Sequence, residues 1–280
     1  MSTTTTHCAL SIDSPVRQFA HEWSEDALAR VTFLFQSDPV CPVEKATVRQ
    51  ACMLATSAPD VRLASLDQVR RACVVPCLSV IPVGTVEFVL SWCDLAGVRP
   101  PGAIDFPEPL RAFLGRDVRL VDPAAGSAPP AGWWIKPVQT KAWEARRVGI
   151  GAQSSALPRG PFWATEHVEL RAEWRVYVLG GEILGAGRYD DGEGDDALPV
   201  DLERLSGEMI RAWGDAPAAY ALDVALDARG RGLLVEASDA WALGYYRGSC
   251  SPRDYARMLA ARWAEVASAS QLTGIRARFV

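Results

Sequence analysis

The stretch AYALDVALDARGRGLLVEASD, residues 219–239, decides the fold class. Two apolar runs flank a turn near Arg229-Gly230, so it reads as an antiparallel hairpin. Asp223 and Glu236 lie toward the far ends of those runs and become neighbours across the ladder. Strand alternation puts Asp223 on the face of Ala221 and Ala225, and Glu236 on the face of Leu234 and Ser238. Two acids on an apolar face are costly to ionise unless something positive sits between them, and a hard divalent cation with oxygen ligands suits. Solvent-facing strand ends are the other reading of the same pattern.

Outward from this hairpin, EWRVYVLGGEILGAGRY (173–189) reads as a second hairpin turning at Gly180-Gly181, and WWIKPVQ (133–139) as a strand. Helices are expected over Leu202–Trp213 and Pro252–Ser268. Together these make a mostly antiparallel sheet system with flanking helices. Upstream, DPAAGSAPPAG (122–132) denies both helix and ladder and reads as a linker or long surface loop. Before it, VTFLF (31–35) is a buried strand, Lys45–Thr56 and Leu66–Ala72 are helical, and VIPVGTVEFVLSWCDLAG (80–97) is a strand, a turn and a helix ending at Gly97. That alternation predicts an open α/β layer. The expected organisation is a loose arm over 1–22, an α/β domain over 23–121, the linker, and a second domain over 133–280.

Composition narrows the function classes. The 280 residues are 49% hydrophobic and 22% charged, which excludes wholesale disorder. Lys+Arg 29 against Asp+Glu 34 gives a net charge of −5, without the basic field that nucleic-acid binding uses. The seven cysteines contain no CxxC and read as reduced core filler, with a zinc site including Cys73 and Cys77 as the outside alternative. The apolar window Cys73–Trp92 is broken by Pro76, Pro82, Gly84 and Glu87, so it reads as strands rather than a membrane span. With no secretory signal pattern at the start, a cytoplasmic protein without membrane or nucleic-acid partners is expected.

Three further features carry chemistry. Lys136 sits in the apolar strand IKP and must snorkel outward or meet an anion such as a phosphate. In ATEHVELRAEWRVYV (164–178), Glu166, Glu169 and Glu173 alternate with apolar positions, and Arg175 follows Glu173 on the same strand face. That face suits a polar ligand, or a surface ion pair worth at most about 1 kcal/mol. The acidic run YDDGEGDDALP (189–199) reads as a solvated lid. His7, His21 and His167 share no nucleophile and acid that would complete a Ser-His-Asp or Cys-His set.

In order and spacing these segments resemble the ATP-grasp superfamily, particularly its D-alanine–D-alanine ligase-like core, over about residues 133–250. That family has a lysine in a V/I-K-P strand, here Lys136, and then a hinge strand carrying two glutamates seven residues apart, here Glu166 and Glu173. An Asp and a Glu-x-Asn on the following strands hold Mg²⁺ in that family. The resemblance implies an α/β (α+β) chain, with an open α/β pre-ATP-grasp layer followed by an ATP-grasp core. It also implies ATP and Mg²⁺ as cofactors, small-molecule or peptide substrates, and ligation of a carboxylate to an amine through an acyl phosphate. A nucleotide-binding protein without ligase activity is the alternative.

Residue by residue, the resemblance makes Lys136 and Arg175 the phosphate clamp and places Glu166, His167, Val168 and Glu169 around the adenine. Glu173 falls at the ribose, and Asp223, Glu236 and Ser238 at the metal. The sequence departs from the family in three places. QTKAWEARRVG (139–149) stands where a glycine-rich phosphate loop is usual, so Lys141, Arg146 or Arg147 would supply those contacts. Ala221 stands where an arginine is common, with Arg175 taking its charge role. Ser238 stands where Asn is usual, with Asp239 beside it. PVGTVEF (82–88) and the EWR triplet look like small bacterial and phage ATP-grasp proteins.

Overall fold

A computed structural model describes residues 28–139, 142–149, 157–190, 196–246 and 248–278. Its first layer is an open parallel sheet of β1 (Thr32–Gln36), β2 (Asp60–Ala64) and β3 (Val80–Val83), in the order β2-β1-β3. The helices α1 (Val43–Met53), α2 (Leu66–Arg70) and α3 (Val86–Ala96) alternate with these strands. The Thr85 hydroxyl caps α3 by accepting from the Phe88 amide at 3.3 Å. Gly97 ends that helix with a φ of 66°, a left-handed conformation that costs glycine little.

Two antiparallel four-stranded sheets follow. One contains β4 (Val118–Val121), β5 (Trp134–Pro137), β6 (Arg146–Arg147) and β7 (Phe162–Thr165), in the order β4-β7-β5-β6. The other contains β8 (Leu170–Leu179), β9 (Glu182–Arg188), β10 (Ala219–Asp227) and β11 (Gly232–Asp239), in the order β11-β10-β8-β9. The helices α4 (Val200–Ala212) and α5 (Pro252–Arg278) flank them. The fold is thus mixed α/β with antiparallel sheets. The proline-rich segment 122–132 joins β4 to β5, which both pair with β7, so it is a loop within one layer rather than a tether between layers.

The central strand β8 is buried on both faces, and its alternation sorts two cores. Val176 and Val178 pack with Leu222, Val224 and Leu234 against Leu202 and Met209 of α4. Tyr177 and Leu179 face the other way. They join Tyr255, Leu259 and Trp263 of α5 and Phe33 and Ile81 of the parallel sheet in one continuous core.

Two expectations need correction. Cys52 and Cys93 are buried, and burial pushes their thiols up to about 11 and about 12. Cys73 and Cys77, however, are exposed and Cys41 and Cys250 half-buried, so the thiols are not uniformly core filler. Cys8 lies outside the described residues. In the hairpin, the β10–β11 register shifts beside Asp223, which pairs with Glu236 while Val224 pairs with Leu234. Val235 is the extra residue of this β-bulge, and it turns Leu234 to the face opposite Glu236. Among the described residues no helix is long and apolar enough to cross a membrane.

Candidate active site

One row of residues crosses the second antiparallel sheet in register: Glu236 on β11, Asp223 on β10, Arg175 on β8 and Gly187 on β9. Asp223 is 2% exposed, and its two carboxylate oxygens accept from Nε and Nη2 of Arg175 at 2.7 and 2.6 Å. Burial pushes the Asp223 carboxyl up, and the guanidinium beside it opposes that rise. Burial also works against the Arg175 charge, but Asp223 outweighs it and holds the guanidinium above its ordinary range. The Tyr189 and Tyr246 rings stack at 5.5 Å, and Arg175 lies 5.6 and 5.2 Å from their centres. The Tyr189 hydroxyl donates to Glu173 at 2.6 Å, which ties that carboxylate to this cluster.

The tyrosines reach Arg175 because the chain after β11 lies close on β9. A Cβ at Gly185 would come within 2.2 Å of the Ser249 carbonyl oxygen, and one at Gly187 within 2.6 Å of the Ser249 side chain. Glycine at both positions lets that backbone settle onto the sheet.

Lys136 links the two antiparallel sheets. From β5 its ammonium donates to Asp105 Oδ1 at 2.6 Å and to Glu236 Oε2. Burial works against its charge, yet Glu236 and Asp105 outweigh this and lift the ammonium above its ordinary value. The sequence reading missed Asp105, which lies in an apolar loop stretch with a φ of 34°. Its carbonyl accepts from the Ala237 amide at 2.7 Å, which extends the edge of β11 by one bridge. The Asp105 carboxyl is buried, with the Trp163 side chain as a further hydrogen-bonding neighbour, and burial raises it. Arg116 was missed as well. Its Nη1 and Nη2 donate to the Leu234 and Val235 carbonyls at 2.8 and 2.7 Å, which fixes the bulge that presents Glu236.

Two cavities meet at Lys136 and Glu236. One, of about 540 Å³, is lined by Glu166, His167, Val168, Glu173, Arg116 and Trp134. The other, of about 850 Å³, is lined by Asp105, Trp143, Glu144, Ser238, Arg175 and Tyr246 among others. Of the sequence-expected residues, Glu166, His167, Val168 and Glu173 therefore gather on one side of the Lys136–Glu236 contact, and Arg175 and Ser238 on the other. His167 Nδ1 accepts from Trp134 Nε1 at 3.1 Å. The Glu166 carboxylate accepts from the Asp117 amide at 3.3 Å. Glu169 is exposed and lines neither cavity. Arg146 and Arg147 form β6 and also line neither. Lys141 lies outside the described residues. Asp239 lines the larger cavity, but Arg262 takes both its oxygens at 2.8 and 2.6 Å.

The profile of an ATP-grasp domain family, the third family of its clade, matches residues 95–266, more than half of the chain. The chain belongs to this ATP-grasp family. Among solved structures it is similar to the ATP-grasp ligase PsnB in complex with a minimal precursor, at 14% identity and a TM-score of 0.47, over 83% of this chain and 99% of that one. It is also similar to D-alanine–D-alanine ligase from Bacillus anthracis complexed with ATP, at 11% identity and a TM-score of 0.49, over 89% of this chain and 99% of that one. A third likeness is to N5-carboxyaminoimidazole ribonucleotide synthetase from Thermotoga maritima, at 12% identity and a TM-score of 0.49, covering 82% and 75%. No curated protein matches the sequence.

Proposed function

We propose that this ATP-grasp protein is a Mg²⁺- and ATP-dependent ligase that joins a carboxylate to an amine through an acyl phosphate. The observation that carries the proposal is the meeting of two cavities at Lys136 and Glu236. Such a junction suits a reaction in which a nucleotide's phosphates reach a second substrate. The smaller cavity takes adenine against the backbone of Glu166–Val168 and the ribose hydroxyls at Glu173. Lys136 then meets the polyphosphate, and Arg175 guards the acceptor side with its charge.

In the first step an oxygen of the substrate carboxylate bonds to the γ-phosphorus and ADP departs with the β–γ bridging electron pair. In the second the amine nitrogen bonds to the acyl carbon and phosphate leaves with the C–O pair and a proton. No protein nucleophile is required. Lys136 and Arg175 supply positioning and electrostatic stabilisation. Glu144 on the wall of the larger cavity suits an amine-bearing substrate, and about 850 Å³ accommodates an amino acid or a peptide end.

Among the described residues no three His, Cys, Asp or Glu side chains gather as a ready metal cage. Mg²⁺ usually keeps several waters and takes only one or two carboxylates together with phosphates, so Glu236 with one further acid and Ser238 fits it. When bound, the ion neutralises charge developing on the transferred phosphoryl group. Asp223 faces Glu236 directly and is the acid implied by the family pattern, although its oxygens are engaged with Arg175.

A non-catalytic nucleotide binder is the second reading, favoured by one observation: Lys136 and Arg175 are both paired with the protein's own acids. A screen of amino acids and peptides for substrate-dependent ADP release separates the two. Release with at least one acceptor is expected of the ligase. A melting temperature raised by Mg-ATP with no release across the screen would leave the binder.

A further inference from the structure

We propose that the open edge of β2 pairs with β2 of a second copy of this chain, antiparallel and centred on Val61, so that two parallel sheets join across a two-fold axis. The proposal is independent of the ligase reading, because no residue of β2 lines either cavity.

Two observations carry it, and the first is that the edge is unpaired. The Asp60 amide donates to the Val31 carbonyl at 3.1 Å, and the Ala64 carbonyl accepts from the Ser37 amide at 2.9 Å. Asp60, Arg62 and Ala64 therefore turn their backbone groups toward β1. Alternation along the strand turns the N–H and C=O of Val61 and Leu63 outward. Among the described residues nothing bonds to those groups. Solvent reaches the edge: the Asp60 and Arg62 side chains are 52% and 59% exposed, and Leu63 is 54% exposed. β3, at the opposite edge of the sheet, is buried throughout.

The second observation is the order of charges along DVRLA. Charged residues on an edge strand ordinarily deter a second strand. Here they are self-complementary in one register. Two-fold pairing must set outward-facing residues against each other, which leaves few choices. Centring on Arg62 or on Asp60 sets like charges face to face, and centring on Leu63 leaves both charges without a partner. Centring on Val61 sets Asp60 against Arg62 of the second copy, twice over. Those pairs fall at the close, non-hydrogen-bonded positions of the ladder, where side chains interact most strongly. In that register the two Val61 residues exchange both backbone bonds. The Leu63 amide donates to the carbonyl of the second copy's Pro59, and the exposed Leu63 side chain gains an apolar neighbour. Two such short strands bury less than the ~1,200 Å² of a standard interface, so the dimer is weak and concentration-dependent.

The test is analytical ultracentrifugation of the full chain across the micromolar range. Wild type should show a monomer–dimer equilibrium. Arg62→Asp faces acid with acid and Asp60→Arg faces base with base, so each variant alone should dimerise about tenfold more weakly or worse. An equimolar mixture of the two variants restores opposite charges at both pairs and should recover the dimer. Wild type that stays monomeric throughout would overturn the proposal, as would single variants that dimerise like wild type or a mixture that stays monomeric.

Leu63→Pro keeps the proposal testable if a reversed charge disturbs the fold. The Leu63 N–H faces away from β1, so proline spares the internal ladder and removes the bond to the second copy. Dimerisation should weaken, and undiminished dimerisation of this variant would overturn the proposal.

Discussion

Asp223 and Glu236 face each other across one ladder, yet they are held differently, and a charge-removing substitution should separate them. Asp223 anchors a buried guanidinium, and truncating one partner of such a pair strands the other's charge. Asp223→Ala should therefore destabilise the fold by roughly 3–5 kcal/mol in urea unfolding, well beyond the effect of a surface acid. A loss below about 1 kcal/mol would mean that Arg175 finds another partner or water. Asp227, at the turn of the same hairpin, acts through pH. Its Oδ1 accepts from the Arg229 and Arg231 amides, both at 2.9 Å, and the Arg231 amide bond is the main cause that lowers its carboxyl below the ordinary value. A lowered carboxyl contributes stability above its unfolded value near pH ~3.9, and that contribution is lost as pH falls through the folded value. Asp227→Asn should accordingly show a flatter acid limb in melting temperature against pH. Limbs of equal slope would remove Asp227 from the acid response.

At the scale of elements, the bulge on β11 decides whether Glu236 faces the cleft, and Arg116 holds that bulge. Arg116→Met should cost roughly 1–3 kcal/mol for each carbonyl left bare and should weaken nucleotide binding as well. Wild-type nucleotide affinity in this variant would show that the bulge keeps its shape unaided. Gly185→Ala should lower the melting temperature, because its methyl group meets the Ser249 carbonyl. An unchanged melting temperature would mean that the overlying chain shifts freely. The two long hairpins are legible in the sequence because apolar runs of 7–10 residues end in Gly180-Gly181 or at Arg229-Gly230. β2, β4 and β7 have only 4 or 5 residues each, too few for a period to emerge, and their burial comes from neighbours distant in the chain. The bulge is illegible for another reason. LLVEAS alternates acceptably as a flat strand, and only the register opposite Asp223 exposes the extra residue.

For the whole molecule, the parallel sheet and the last helix share one core. Trp263 is 3% exposed, packs in that core, and donates from Nε1 to the Leu78 carbonyl at 2.8 Å. Trp263→Ala should cost roughly 3–5 kcal/mol and move the parallel sheet and the β8–β11 sheet together in a single unfolding transition. Two separated transitions would show that the layers are energetically independent. The cleft follows the same logic of distance. Lys136 and Glu173 stand out as charges within apolar strands, and Glu166 stands out in the short loop between β7 and β8. Asp105 and Arg116 acquire their places only when the chain before β4 docks on β11, and nothing in AIDF or GRD marks that event.

The shared core also sets an order of events during synthesis. Phe33 and Ile81 leave the ribosome long before the residues around Trp263 that cover them. At roughly 5–20 residues per second, this interval lasts on the order of ten seconds or more. Throughout it, the nascent parallel sheet offers an apolar face to chaperones and to neighbouring chains. Nascent chains arrested with residue 251 just outside the exit tunnel should be cut readily by protease in the 28–98 region. Chains arrested after α5 has emerged should resist, and equal resistance at both points would mean that the first layer closes without its final helix.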